Sequence, residues 1–236
     1  DVAVIDFDQD ATQALADDIK NEYGVNTIGV ACDVSNKKAV TAMVAKVCDA
    51  LGAIHVLHNN AASKTDNPAD FFVPFEDFDF GVWRDIMSVN IDGMFLVAQA
   101  IGKQMIAQGT GGSIIQTAST YGIVGPDFGI YEGSEYMGHT ITTPAAYSAS
   151  KGAVVALTKY LATYWGDKGI RVNTLVPGGI ESGQNETFQK NYGARVPLGR
   201  MAHVDEMVGA VVYLASDASS YMTGQMVVVD GGWTAW

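Results

Sequence analysis

Residues 1–33, DVAVIDFDQDATQALADDIKNEYGVNTIGVACD, are the stretch from which the architecture is read. Asp1–Asp6 is apolar between two acids and predicts a buried strand that ends on a carboxylate. Asp8 stands where a helix N-cap belongs, ahead of Gln9–Tyr23 with its apolar positions Ala11, Leu15, Ala16 and Ile19. Gly24 stops that helix, and Val25–Cys32 reads as the next strand. The alternation continues outward. A helix runs from Ser35 or Asn36 to about Leu51, then a strand over Ile54–His58, a long helix over Glu76–Gln108 and a strand over Ser113–Ala118. The helix carrying Tyr147, the strand Ile170–Val176, a helix over Asp205–Ala215 and the strand Gln225–Val229 complete the chain. This alternation predicts an α/β fold, a doubly wound and mostly parallel sheet forming one domain over residues 1–236.

Composition fits that reading. The apolar fraction of 48% supplies a core. The net charge of −12 argues against nucleic acid or an anionic membrane surface as partner. Two cysteines, Cys32 and Cys48, suggest no disulfide framework and suit a reducing cytoplasm. No apolar run approaches the roughly 18 residues of a membrane span. His55, His58, His139 and His203 lack ligand spacing, so no metal is expected.

The chemistry-bearing stretch is Tyr147-Ser148-Ala149-Ser150-Lys151. Residues four apart on a helix share a face, which sets Lys151 beside Tyr147. An ammonium next to a phenol favours the phenolate. Tyr147 is therefore expected to titrate below its usual value of about 10 and to act as a general acid/base. The segment Ser119–Pro144 has no clear period and many aromatics; a loop of that length inside a compact domain is usually either functional or disordered, and its aromatic content favours function. The shorter Ser63–Phe75 also reads as loop.

Taken in order, Asp6, Asp33-Val34, Asn59-Asn60-Ala61, Asn90, Ser119, Tyr147 with Lys151, and Pro177-Gly178 resemble the short-chain dehydrogenase/reductase family along essentially the whole chain. The resemblance implies a Rossmann-like fold and hydride transfer between a nicotinamide cofactor and a secondary alcohol or ketone. It assigns Tyr147 as acid/base and Lys151 as the group that lowers its pKa and holds the nicotinamide ribose. Ser119 would hydrogen-bond the reacting oxygen, and Asn90 would hold a proton-relay water. Asp33 and Val34 would contact adenine, Asn60 and Ala61 the adenosine side, and Pro177, Gly178, Ile180 and Ser182 the nicotinamide end. Asp6, at the end of a strand with no Arg or Lys nearby, would accept from the adenosine ribose hydroxyls and repel an extra phosphate. NAD is thus expected rather than NADP. The resemblance also implies a homo-oligomer, dimer or tetramer, with the long helices as dimer faces and the ending Trp233–Trp236 buried at a subunit contact.

Three departures stand out. No glycine precedes Gly24, so the family's glycine-rich phosphate loop is not in this sequence. The matching strand would lie mid-sheet between Asp1–Asp6 and Ile54–His58, and the natural protein is expected to carry about 25–30 further residues upstream, one strand–loop–helix unit. The competing reading, a cofactor-free scaffold or binding protein, rests on that missing loop. Second, Ala62 stands where the family usually has glycine. Third, Ser119 and Tyr147 are 28 positions apart, about twice the usual separation. The extra residues, including Pro126, Asp127, Phe128, Tyr131, Glu132 and Tyr136, are candidate substrate contacts. With the ending from Leu214 to Trp233, that insertion resembles bacterial sugar-modification (flagellin-glycosylation type) or gluconate-dehydrogenase-like members. A sugar or polyol substrate is the expectation.

Overall fold

The structure, a computed structural model, describes residues 1–65 and 67–236; Asp66, within the predicted loop Ser63–Phe75, lies outside the described residues. Strand β1 (Val2–Asp6) leads through α1 (Gln9–Tyr23) into β2 (Thr27–Ala31), and the two strands pair in parallel. The Asp8 carboxylate accepts from the N–H groups of Asp10 and Ala11 at 2.9 and 3.0 Å, and Gly24 ends the helix at φ +67°. Helix α2 (Lys37–Leu51), capped by Asn36, precedes β3 (Val56–Asn59). Then come α3 (Pro68–Phe71), α4 (Phe80–Met87), α5 (Met94–Gln108) and β4 (Gly112–Thr117). A hairpin of β5 (Glu135–Tyr136) and β6 (His139–Thr140) leads to α6 (Ala145–Trp165) and β7 (Ile170–Pro177). Helices α7 (Glu186–Arg195) and α8 (Val208–Ala215) and strand β8 (Met226–Val229) finish the fold.

Strands β3, β4, β7 and β8 form one sheet in that order, parallel throughout. Parallel neighbours need crossovers, and the intervening helices supply them. The pleat then sends successive residues to opposite faces. Ile114 of β4 packs with Val97, Ile101 and Leu161 on one face, and Ile115 packs with Leu175 and Leu214 on the other. Each such side chain contributes about 1.5–3 kcal/mol on full burial. The sheet is doubly wound, as the alternation predicts. Strands β1 and β2 form a separate pair that shares the first of these cores, with Val30 and Cys32 buried in it and Ala3, Ile5 and Ile28 packed against it. Among the described residues no strand pairs with the second edge of β1 or of β3.

Some segments differ from expectation. The helix predicted from Glu76 starts at Phe80. A 3-10 turn occupies Phe75–Asp77, and Asp79 caps afresh by accepting from Gly81 and Val82 at 2.8 and 3.1 Å. A π turn over Ser88–Gly93 then divides α4 from α5. The predicted loop 119–144 holds two 3-10 turns, Thr120–Gly122 and Phe128–Tyr131, and the β5–β6 hairpin, which turns through Met137 and Gly138 at φ +50° and +79°. Helix α7 has no counterpart in the sequence reading. Its apolar positions are few, and Asn185 secures it by accepting from Phe188 N–H at 2.9 Å. The expected burial of the chain's end at a subunit contact is corrected for Trp233, which is 2% exposed within its own chain and stacks on Tyr192 at 4.8 Å. Trp236 stays exposed. No described helix is long and apolar enough to cross a membrane.

Candidate active site

The carboxyl ends of the parallel strands carry the predicted residues, the place where open α/β sheets bind ligands. Strand β4 runs into Ser119, which is 8% exposed and caps the following 3-10 turn by accepting from Tyr121 N–H at 3.2 Å. That turn lies directly on α6. A Cβ at Gly122 would come within 2.6 Å of the Lys151 carbonyl carbon, so glycine is what permits the approach. The approach fixes Ser119 beside Tyr147 and Lys151.

Tyr147 and Lys151 lie on one face of α6, the ammonium 5.8 Å from the ring centroid. Lys151 is 4% exposed and donates to the carbonyl of Thr117 at 3.1 Å. Burial pulls its pKa down to about 8. The expected depression of Tyr147 is corrected: burial pushes its phenol up, and the hydrogen bond with Ser119 works against that rise. The physical reason is that desolvation disfavours the phenolate more than the Ser119 hydrogen bond favours it. Lys151, meanwhile, directs its charge to a β4 carbonyl.

Asn90 sits in the π turn, wholly buried, its Oδ1 accepting from Ser63 N–H at 2.7 Å. Its Nδ2 is buried without a protein partner. Such a donor is suited to an ordered water. Val34, after β2, lies against the same turn: a Cβ on Gly93 would fall 2.8 Å from its Cγ2. Asp33 accepts from the N–H and hydroxyl of Ser35 at 2.9 and 2.6 Å. Asp6 is exposed at the end of β1, its carboxylate accepting from Asp8 N–H at 3.3 Å. Asn60 and Ala61 are exposed beyond β3. At the other wall Gly178 lies so close to Asp230 that a Cβ would reach its Cα at 2.8 Å. Ile180 bridges to Ala202, and Gln184 brackets Ser182 by accepting from its N–H at 2.7 Å and donating to its Oγ at 3.0 Å.

The residues present suit the two ends of a dinucleotide, with an exposed carboxylate at Asp6 and an orphaned buried donor at Asn90. Among the described residues there is no glycine cradle for a pyrophosphate.

Several contacts escaped the sequence reading, although it names Asp127, Tyr131 and Glu132 as candidate substrate contacts. Tyr131, from the insertion, donates to the Tyr121 hydroxyl at 3.3 Å, and burial raises both phenols. Helix α7 clasps the insertion: Asn185 accepts from the Ser134 hydroxyl at 3.0 Å and donates to Glu135 O at 2.8 Å, and Asn191 donates to Glu132 O at 2.9 Å. Arg195 pairs with Asp127 at 3.2 Å and lies over the ring of Trp233. The aromatics of the insertion were the only sequence signal for these contacts. Ser148 stood inside the quoted motif, unremarked; its Oγ is buried without a partner.

Comparison with known proteins gives a consistent result. A family model described as enoyl-(acyl carrier protein) reductase matches residues 1–234. D-threitol dehydrogenase of Mycolicibacterium smegmatis is 32% identical over 242 residues, covering 99% of this chain and 83% of its own length. 2-Dehydro-3-deoxy-D-gluconate 5-dehydrogenase of Pseudoalteromonas atlantica is 33% identical over 225 residues, covering 92% and 80%. The crystal structure of a gluconate 5-dehydrogenase from Burkholderia cenocepacia in complex with NADP and tartrate superposes with a TM-score of 0.85 at 33% identity, covering 99% of this chain and 85% of that one.

Proposed function

The chain belongs to the short-chain dehydrogenase/reductase family, and on that premise we propose that it moves hydride between NAD and a secondary alcohol or ketone of a sugar or polyol, with Tyr147 as acid/base. The observation that carries the reading is the meeting of Ser119, Tyr147 and Lys151, with the unpartnered Asn90 amide one element away on the π turn. A bound nicotinamide would supply the hydride donor or acceptor. In carbonyl reduction the Tyr147 phenol gives its proton to the developing alkoxide. In alcohol oxidation its phenolate takes the hydroxyl proton. The Ser119 hydroxyl donates to the reacting oxygen as charge builds, an interaction of the kind whose removal costs about 10²–10³ in kcat. Lys151, protonated below about 8, adds positive charge beneath the phenol. Asn90 Nδ2 holds the water through which protons reach solvent.

Asp6, Asp33, Val34, Asn60 and Ala61 would hold the adenosine end, and Pro177, Gly178, Ile180 and Ser182 the nicotinamide end. The exposed Asp6 carboxylate supports NAD over NADP, because a 2′-phosphate there would meet a like charge. The gluconate 5-dehydrogenase relative binds NADP, so the choice is tested by titrating both cofactors. Weaker binding of NAD than of NADP would overturn it. For the reaction, Tyr147→Phe is expected to lower kcat by about 10²–10⁴, the span of a lost general acid/base, while the circular dichroism spectrum and melting temperature stay close to wild type. Turnover retained in that variant would sink the mechanism.

A further inference from the structure

We propose that the cavity between the insertion and residues 73–78 is the specificity subsite of this active site, and that it takes the uncharged distal end of a neutral polyol or cyclic alcohol in preference to a sugar acid. The proposal rests on the hydride-transfer reading above and adds the substrate class.

The cavity has a volume of about 440 Å³, within the span of small-molecule sites. Its walls come from three places. Val73, Pro74, Phe75, Glu76 and Phe78 supply one side, Pro126 and Phe128 of the insertion the other, and Thr142–Ala145 with Ser148 the floor. The floor is the N-terminal approach to α6, so its residues flank Tyr147 in sequence on both sides. Successive helix residues point about 100° apart. Ser148 therefore faces a different side of α6 from Tyr147, and Tyr147 is not among the lining residues. A substrate whose reacting carbon lies against Tyr147 thus reaches this cavity with its remainder and not with its reacting end. The Oγ of Ser148 is buried and has no protein partner. A hydroxyl in that condition is costly unless something meets it, and a substrate hydroxyl would.

Charge decides the class. Among the described residues the lining holds no Lys, Arg or His, and its single ionisable side chain is the Glu76 carboxylate. Behind the insertion wall, Arg195 is committed to Asp127 and to the face of Trp233. Across the site Arg200 is committed to Glu206 at 2.6 Å, a pairing that holds that carboxyl down at about 2. A carboxylate entering the cavity would shed water without gaining a cation and would face Glu76. A polyol carries only hydroxyls and C–H faces, and Phe75, Phe78 and Phe128 offer apolar surface for the latter. The relatives include a dehydrogenase named for the neutral D-threitol and one named for a sugar acid; the lining of this cavity favours the former chemistry.

The test compares tetritols and hexitols with the aldonates of the same carbon number, by kcat/KM with NAD or NADP and by calorimetric titration. The neutral compounds are expected to lead by roughly tenfold or more, the size of one charge-assisted hydrogen bond. Glu76→Lys, at an exposed position, is expected to narrow or invert that lead. Ser148→Ala is expected to raise KM for polyols with little change in kcat. Tyr147-dependent turnover that favours aldonates, or a preference that Glu76→Lys leaves unmoved, overturns the assignment while sparing the hydride-transfer reading. Absence of Tyr147-dependent turnover on every compound overturns both.

Discussion

The proposed catalytic pair illustrates how burial and charge compete at a single residue. Four-residue spacing on α6 puts Lys151 beneath Tyr147, and pairwise electrostatics alone would lower the phenol's pKa. Lys151 is buried and Tyr147 half-buried, however, so desolvation raises the phenol and brings the ammonium down to about 8. The consequence is directional. Carbonyl reduction needs the protonated phenol, which is filled across the neutral range, so its kcat is expected to stay flat between pH 6 and 8. Alcohol oxidation needs the phenolate, a minor species far below its pKa that grows tenfold per pH unit. Its kcat is expected to climb with pH, and less steeply above about 8, where Lys151 loses its charge and its support for the phenolate. Steady-state rates in both directions over pH 6–10 check this. An oxidation rate that is flat from pH 6 to 8 would mean that Tyr147 titrates low after all.

At the scale of elements the insertion is held in place by α7 and the chain's end. Asn185 is the central fastener: it caps α7, accepts from Ser134, which is 1% exposed, and donates to Glu135 O. Asn185→Ala removes one cap, worth about 1 kcal/mol, and leaves a buried hydroxyl unsatisfied at a further cost of about 1–3 kcal/mol. For a chain of this size the melting temperature should fall by roughly 4–16 °C, at about 2–4 °C per kcal/mol. A calorimetric scan that shows no shift would mean that the clasp adds nothing. Much of this architecture was legible in the sequence, and the exceptions share a cause. Strands and helices with a local signal, such as Asp8 capping α1 or Gly24 ending it, were readable residue by residue. The fasteners Asn185, Asn191 and Arg195 act on partners some 50–70 positions away, and no local period marks them. The π turn around Asn90 was equally hidden, since its sequence reads as uninterrupted helix. Tyr147 and Lys151 were legible as a pair; their protonation was not, because burial is a property of the packed fold.

For the whole molecule, two separate faces present apolar side chains that nothing in the single chain covers. Phe95 and Ile106 on α5 are exposed, as are Tyr160 and Tyr164 on neighbouring α6, whose rings stack at 5.7 Å. Elsewhere Val208 and Val212 on α8 are exposed, with Met226 and Val228 on β8 at the open edge of the sheet. Monomeric proteins seldom leave contiguous patches of this kind, and an uncovered apolar edge strand invites pairing with another chain. Two independent self-complementary faces generate a tetramer with three twofold axes, one face building the dimer and the other joining dimers. A homotetramer is therefore expected by sedimentation velocity at micromolar concentration. Each face should then fail separately. Tyr160→Glu with Tyr164→Glu is expected to leave dimers joined through α8 and β8, and Val212→Lys with Val228→Lys is expected to leave dimers joined through α5 and α6. All four changes together should give a monomer. Tetramers that survive either pair would show that the chosen face is not an interface, and a monomeric wild type would leave both patches to some other partner.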